Sequence, residues 1–264
     1  MSLLRLGLAH GALEIKQFLR NKLSVVFTLL FPVFLVVIFG SVFGKQDLAP
    51  GVNFSQYFVT GMIASGLMVT GFQSLAIQIP IERDRGVLKR LRGTPMPRSA
   101  YFMGKVVMVL AIAAAETVLL LGVAVAFYGV SLPRDPGRWL TFGWVSLLGI
   151  TACTLCGVAF SSVVRNGRSA PAIVTPVALV LQFTSGVFFV FTQLPSWMQR
   201  AASIFPLKWM CQGMRSVFLP DEFGASESAH SWEPGRVALI LTAWCVAGLV
   251  LCLLTFRWTD RREG

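Results

Sequence analysis

Charge is what this chain has least of. Of its 264 residues, 13% are Asp, Glu, Lys or Arg, where an ordinary soluble domain carries about 25%. Histidine is nearly missing as well. His10 and His230 are the only two, and the apolar runs described below place them on opposite sides of a membrane, so no histidine-based metal or acid–base centre can form from them. A phosphate-binding loop is also lacking. The Gly-Lys pairs at 44–45 and 104–105 have Phe39 and Ser99 where the leading glycine would stand, and neither is followed by Ser or Thr, so the chain should bind and hydrolyse no ATP alone. No metal-ligand cluster or nucleophile–base pair is visible. Five cysteines are present, and Cys153 and Cys156 form C-x-x-C. They fall inside an apolar run with no further ligands near, which reads as small packing residues and not a redox centre. A cleavable leader is not expected either, because the first long apolar run starts only near Leu23 and no small-residue cleavage site follows it.

Long apolar runs are what the chain does have. Six nearly uncharged stretches cover 23–43, 57–81, 106–130, 139–164, 170–191 and 237–256. About 20 helical residues cross a ~30 Å hydrocarbon core, and in lipid only a helix satisfies its own backbone. The expected fold is therefore all-α and integral to the membrane, with six transmembrane helices in a single domain, 1–264. With the N-terminus placed inside, segments 1–22, 82–105, 165–168 and 257–264 hold 16 Lys and Arg against 5 acidic residues. Segments 44–56, 131–138 and 192–236 hold 7 against 6. This positive-inside bias puts both termini in the cytoplasm. It assigns the net charge of +11 to topology and anionic membrane lipids, and excludes nucleic acid as a partner.

Outside and within these runs, several segments have a character of their own. In 1–22, Leu4, Leu8, Ala12, Ile15 and Leu19 form one apolar stripe opposite Arg5, His10, Glu14 and Lys16, which predicts an amphipathic helix at the cytoplasmic interface. Pro32 should kink the first span. The 44–56 loop is too short for an external domain. Thr70, Gln73, Ser74 and Gln78 in span two, Glu116 in span three, and Gln182 and Ser185 in span five are polar groups that lipid disfavours. They should face protein or a substrate path. Glu116, eleven residues from Lys105, falls near mid-bilayer, where a charge costs at least about 2.5–3.5 kcal/mol on insertion scales. Structural and transport roles for it are evenly matched.

The segment 82–92 is the least ordinary cytoplasmic connection. It carries Glu82, Arg83, Asp84 and Arg85, then Gly86, then an apolar edge of Val87, Leu88 and Leu91, and Gly93-Thr94-Pro95-Met96-Pro97 stops it. A topogenic loop needs basic residues only. The acidic pair and the ordered edge suit a helix that contacts another protein. Between spans five and six, Pro195 and Pro206 each open a helix too short to cross. Segment 192–235 is thus expected to hold outer re-entrant helices anchored by Trp197 and Trp209, with Lys208, Gln212 and Arg215 on their polar side. A plain external loop should follow at 220–235. Residues 236–264 complete span six and a cytoplasmic tail.

The run Glu82-Arg83-Asp84-Arg85-Gly86-Val87-Leu88-Lys89-Arg90-Leu91-Arg92-Gly93-Thr94-Pro95, with Arg98-Ser99-Ala100-Tyr101, resembles the loop after the second span in ABC-2-type permeases. These are the membrane subunits of bacterial exporters of the daunorubicin-resistance kind. Ser185-Gly186-Val187-Phe188-Phe189, Leu194-Pro195, Phe205-Pro206-Leu207 and Gly213-Met214-Arg215 are similar to that family's fifth span and re-entrant helices. With six spans and an interfacial N-terminal helix, the resemblance covers nearly the whole chain. It implies a bacterial cytoplasmic membrane and a second permease copy, identical or different. It further implies two nucleotide-binding ATPase subunits that hold the ATP and Mg, so that this chain has no catalytic residue, metal or cofactor. The 82–92 helix would sit in an ATPase cleft, helix 1–20 would also touch the ATPase, and spans one and five would line the permease pair. The cargo would be a hydrophobic or amphipathic drug, antibiotic or lipid moving outward. A polymer or glycolipid is the alternative within the family, and an ion-coupled secondary transporter the alternative outside it. The latter would show an inverted repeat and more intramembrane charge than Glu116. A membrane enzyme would need clustered catalytic groups at one bilayer face, which are missing.

Overall fold

The computed structural model describes residues 3–44, 46–93, 97–130 and 132–255. Ten helices and one short hairpin are found among them: α1 (Leu3–Arg20), α2 (Lys22–Phe43), β1 (Asp47–Ala49), β2 (Val52–Asn53), α3 (Phe54–Asp84), α4 (Val87–Arg92), α5 (Arg98–Tyr128), α6 (Pro136–Phe160), α7 (Ala170–Thr184), α8 (Ser196–Ala202), α9 (Pro206–Phe218) and α10 (Pro234–Thr255). The stop signal at 94–96 and the basic tail expected at 257–264 lie outside the described residues.

Local chemistry sets the helix starts. Asn53 and Gln56 form a reciprocal capping box at α3, their side chains accepting from each other's backbone N–H at 3.0 and 3.3 Å. Asp135 caps α6 through the Gly137 N–H at 3.0 Å, with Pro136 in the first turn. Pro206 likewise opens α9. Pro32 is preceded by a π-helical stretch, Val26–Leu30. The ring removes a donor from the α-helical ladder, and the widened turn carries that disruption inside one continuous helix. A second π stretch, Val69–Gln73, interrupts α3, where the Ser74 hydroxyl donates to the Val69 carbonyl at 3.2 Å.

Helix α3 is the axis of the bundle. Nearly every residue of Phe54–Met68 is buried, against α2, α5, α6 and α9. Its crossing with α6 is tight because Gly157 stands where a Cβ would come within 2.6 Å of the Phe72 carbonyl oxygen. Small residues let membrane helices approach this closely. α10 lies along α6, and the Cys252 and Cys245 thiols donate to the Leu155 and Leu148 carbonyls at 3.0 and 3.4 Å. All five cysteines are unbridged. Cys153, buried 3.7 Å from the Met210 sulfur, is packing material as its neighbours predict.

Five helices (α2, α3, α5, α6 and α10) are long and apolar enough to cross a membrane. The fifth run of the sequence, 170–191, differs. It is helical only over the fifteen residues of α7, because Ser185 and Gly186 turn the chain, Gly186 with φ +80° in the left-handed region. Apolar residues simply continue past that turn, so hydropathy alone could not register it. The bundle has two ends. One carries the β-hairpin and 219–233, and the other carries α1, α4 and 161–169.

Two further expectations are corrected by packing. α9 is not an interfacial helix with a wet polar face. It is buried between α3, α6 and α10, with Lys208, Gln212 and Arg215 inside. Trp209 is 1% exposed and so is a core residue, whereas Trp197 on α8 is 63% exposed. In α1 the stripe residues Leu4, Leu8 and Leu19 are exposed, Ile15 packs partly on the core, and α1 meets α5 through Gly7, Gly11 and Glu14.

Candidate functional site

The intramembrane polar residues face protein, as lipid avoidance requires, but each does a separate job. Glu116 is 2% exposed and accepts the Thr70 hydroxyl at 3.0 Å. It lies over Gly66, where any side chain would collide with it. The pair joins α5 to α3, and no cation pairs with Glu116 among the described residues. Gln73 donates to the Thr175 hydroxyl at 3.4 Å and ties α3 to α7. Ser74 bonds within its own helix. Buried Gln182 closes the Ser185–Gly186 turn through its carbonyl, which accepts from Val187 N–H at 3.4 Å. The Gln78 Oε1 and Ser185 Oγ atoms are buried without a hydrogen-bond partner among the described residues. None of these residues borders the apolar groove lined by Met68, Phe72, Phe160 and Leu181.

At the α4 end, charge is concentrated and satisfied internally. Buried Lys105 of α5 pairs with Glu14 of α1 at 2.9 Å and with Glu82 of α3. Tyr101 donates to Glu82 at 2.7 Å. His10 sits 3.4 Å from Glu14, with its ring 5.6 Å from that of Tyr101. Burial holds the His10 pKa below its ordinary value, the Glu14 carboxylate opposing that effect and Lys105 adding to it. Two glycines of α1 and one of α5 bring these groups together. A Cβ at Gly11 would lie 2.7 Å from Val107, and one at Gly104 would run into His10. Next along the chain, Arg83 donates to the Val164 carbonyl and Asp84 accepts the Gly167 N–H at 2.6 Å. The α4 end of α3 is thereby bound to α5 and the segment after α6, and through Lys105 to α1.

This geometry changes the reading of 82–92. Glu82, Arg83 and Asp84 are the last turn of α3 and not the start of a coupling helix. Gly86, at φ +69°, breaks the chain in a conformation that side-chain-bearing residues rarely adopt. α4 follows as a separate six-residue helix. Of the charges expected to orient a partner, Glu82, Arg83 and Asp84 are engaged in this chain, and Arg85 is exposed. Leu88, expected on the free apolar edge, is 1% exposed. The outward surface is instead Arg85, Lys89 and Arg90, flanked by half-buried Val87 and Leu91. Arg90 also donates to the Arg85 carbonyl at 2.9 Å, holding the break closed.

At the hairpin end lies a cluster that the sequence reading missed. Arg215 is fully buried, with its guanidinium 3.7 Å from the centre of the Tyr57 ring. It pairs with Glu227 at 3.5 Å and donates to the Gly186 carbonyl. The Tyr57 hydroxyl accepts the Phe191 N–H at 2.9 Å. The 220–235 segment is therefore no plain loop, since Glu227 is a buried ion-pair partner and Trp232 accepts from Gln212 at 2.9 Å through its carbonyl. A usable signal did exist. Arg215 and Gln212 in an otherwise apolar helix require internal partners, and Glu227 was a nearby acid of the correct sign.

Comparison with known proteins agrees with this architecture. The ABC-2 type transporter family model matches residues 10–219. The chain is 21% identical over 244 residues to the protein named "Putative transport permease ycf38" of Porphyra purpurea, covering 91% of this chain and 80% of that one. A second protein of the same name, from Cyanophora paradoxa, is 24% identical over 253 residues, covering 89% and 83%. "Putative transport permease YvfS" of Bacillus subtilis (strain 168) is 23% identical over 198 residues, covering 73% and 77%. The family match extends from within α1 through the buried α9, and so includes the Glu14–Glu82–Lys105 cluster and Arg215 but not its partner Glu227. This chain belongs to the ABC-2 type transporter family.

Proposed function

We propose that the chain is the membrane subunit of an ATP-driven exporter. Two separate nucleotide-binding subunits supply ATP and Mg, and a second permease copy completes the membrane pathway. The observation that carries this reading is the mounting of α4. It hangs from a base in which Glu82, Arg83 and Asp84 are tied to α5 and to the segment after α6, and it presents Arg85, Lys89 and Arg90 outward. A push on α4 is transmitted into α3, α5 and α1 together. A loop that served only topology would need no such anchorage.

In this reading the α4 end is cytoplasmic, with both termini, and the hairpin end is external. α7 with residues 185–191 makes the sixth crossing, and α8 and α9 form the outer re-entrant unit of one 1–264 domain. The membrane is a bacterial cytoplasmic one, and the cargo is hydrophobic or amphipathic, drug, antibiotic or lipid. Exposed apolar surface on α2, only 11% buried, and on α7 supports pairing with a second permease through those helices.

The test is retention of the ATPase that co-purifies with the tagged chain. Changing Arg85, Lys89 and Arg90 together to Gln leaves the bundle intact and should reduce retained ATPase about tenfold, the effect of losing a few charge-assisted contacts. Undiminished retention with intact export removes α4 as the coupling element. Vanadate-insensitive, uncoupler-sensitive export would instead indicate a secondary transporter.

A further inference from the structure

A groove in the side of the bundle is apolar and open to one side, with a volume of about 290 Å³. Met68, Phe72, Cys156, Phe160, Leu181 and Leu251 are among its walls, from α3, α6, α7 and α10. Its roof is the tip of the α8–α9 unit, Phe205 to Leu207. The depth of that tip is fixed by a hydrogen bond in which the Trp244 indole donates to the Ile204 carbonyl at 2.7 Å. Trp244 is ten residues into α10, about 15 Å from the helix's hairpin-end start. The tip thus reaches the middle of the bundle. The groove runs from there toward Ser162 and Thr255 at the α4 end. Trp244 to Thr255 covers about 16 Å of helix, about half of a ~30 Å hydrocarbon core.

A slot of that length, apolar throughout and opening sideways into the bilayer, has the dimensions of one leaflet's acyl chain. Ser162 and Val163 line its α4 end. Arg165 and Arg168 follow shortly after them in the chain, both are exposed, and neither pairs with a carboxylate among the described residues. Guanidinium groups favour phosphate because their forked donors match its oxygens. We infer that the groove beneath the α8–α9 tip holds one acyl chain of an anionic inner-leaflet phospholipid, with its phosphate seated on Arg165 and Arg168. The inference rests on the topology proposed above, in which the α4 end is cytoplasmic.

The full chain, reconstituted separately in phosphatidylglycerol and phosphatidylcholine nanodiscs and released for native mass spectrometry, tests it. Wild type should retain one phosphatidylglycerol in preference to phosphatidylcholine. Arg165→Gln with Arg168→Gln should lower the phosphatidylglycerol-bound fraction about tenfold, as expected for losing a charge-assisted contact, and lower phosphatidylcholine by less, because its choline already offsets the phosphate charge. Val177→Trp, at a groove-lining position already 37% exposed, should lower retention of both lipids without needing the core to move. Equal retention of the two lipids by wild type, or undiminished retention in both variants, overturns the site. So does efficient bismaleimide linkage between two copies through Cys156 alone with no retained lipid, which would mean that a second permease covers the groove. Arg168→Cys labelled by an impermeant thiol reagent in intact cells would overturn the topology and the lipid site together. Cytoplasmic Arg168 without lipid preference overturns the lipid site only.

Discussion

At the scale of single residues, the informative groups are the buried charges, because each must find a partner or destabilise the fold. Arg215 and Glu227 answer each other across α9 and the hairpin-end loop. Removing one member strands the other, at about 3–5 kcal/mol, whereas replacing both with apolar side chains is often near neutral. Arg215→Met should therefore lower the melting temperature of the detergent-solubilised chain sharply, and Arg215→Met with Glu227→Leu should recover most of it. A double variant as unstable as the single one would locate the loss in the Tyr57 stacking instead. His10 gives a pH signature. Its pKa is lowered in the folded chain, so below the ordinary value the unfolded chain takes up a proton that the folded one refuses. Stability is then lost as pH falls from about 6.5 toward the folded pKa. Melting at stepped pH should show that loss, and His10→Gln should remove it.

At the scale of elements, legibility in the sequence depended on whether the signal was one of length or of partner. The spans were readable because uncharged runs have one stable solution in lipid, and α3, α5 and α6 lie close to where hydropathy puts them. The end of α7 was not, since Val187, Phe188 and Phe189 are as apolar as the helix they follow. α9 was readable as a short helix between spans, but its Lys208, Gln212 and Arg215 look the same in sequence whether they meet water or bury against Trp209, Trp232 and Glu227. In 82–92 the charges were conspicuous and their partners were not, because Glu14, Lys105 and Val164 are distant in sequence and come together only through folding. In α1 the leucine stripe was legible, but the contact with α5 was not, because it runs through Gly7 and Gly11, residues with no hydropathy signal. Close packing there predicts that Gly11→Leu detaches α1 from α5. Cleavage of α1 by added protease, slow in the wild type, should become rapid, and wild-type resistance in the variant would show that the Lys105 ion pairs suffice to hold it.

At the scale of the whole molecule, α3 is secured at both ends. Tyr57 is locked under Arg215 at the hairpin end, and Glu82 is locked to Lys105 and Tyr101 at the other. A displacement of α4 therefore enters a member that cannot slide freely, and it must appear elsewhere as tilt or twist. Charge reversal at Lys105 should consequently separate ATP hydrolysis from export in the assembled transporter, with hydrolysis continuing and cargo stationary. Parallel loss of both would mean that Lys105 serves assembly alone.

Between those two fixed ends lies the π stretch Val69–Gln73, and its consequence is angular. Each residue advances an α-helix by about 100°, so a turn that accommodates one extra residue sets the phase between the two halves of α3. The half before it aims Gly66 and Thr70 at Glu116. The half after it aims Glu82 at Lys105. Inserting one alanine after Ser74, where no wide turn absorbs it, would rotate the second half by about 100° and point Glu82 away from its cation. The chain would still have a full complement of hydrophobic spans, and its insertion, followed by glycosylation-site or thiol mapping, should be unchanged. What it should lose is the ability to keep both anchorages at once, seen as a drop in melting temperature that Glu82→Gln in the same background does not deepen.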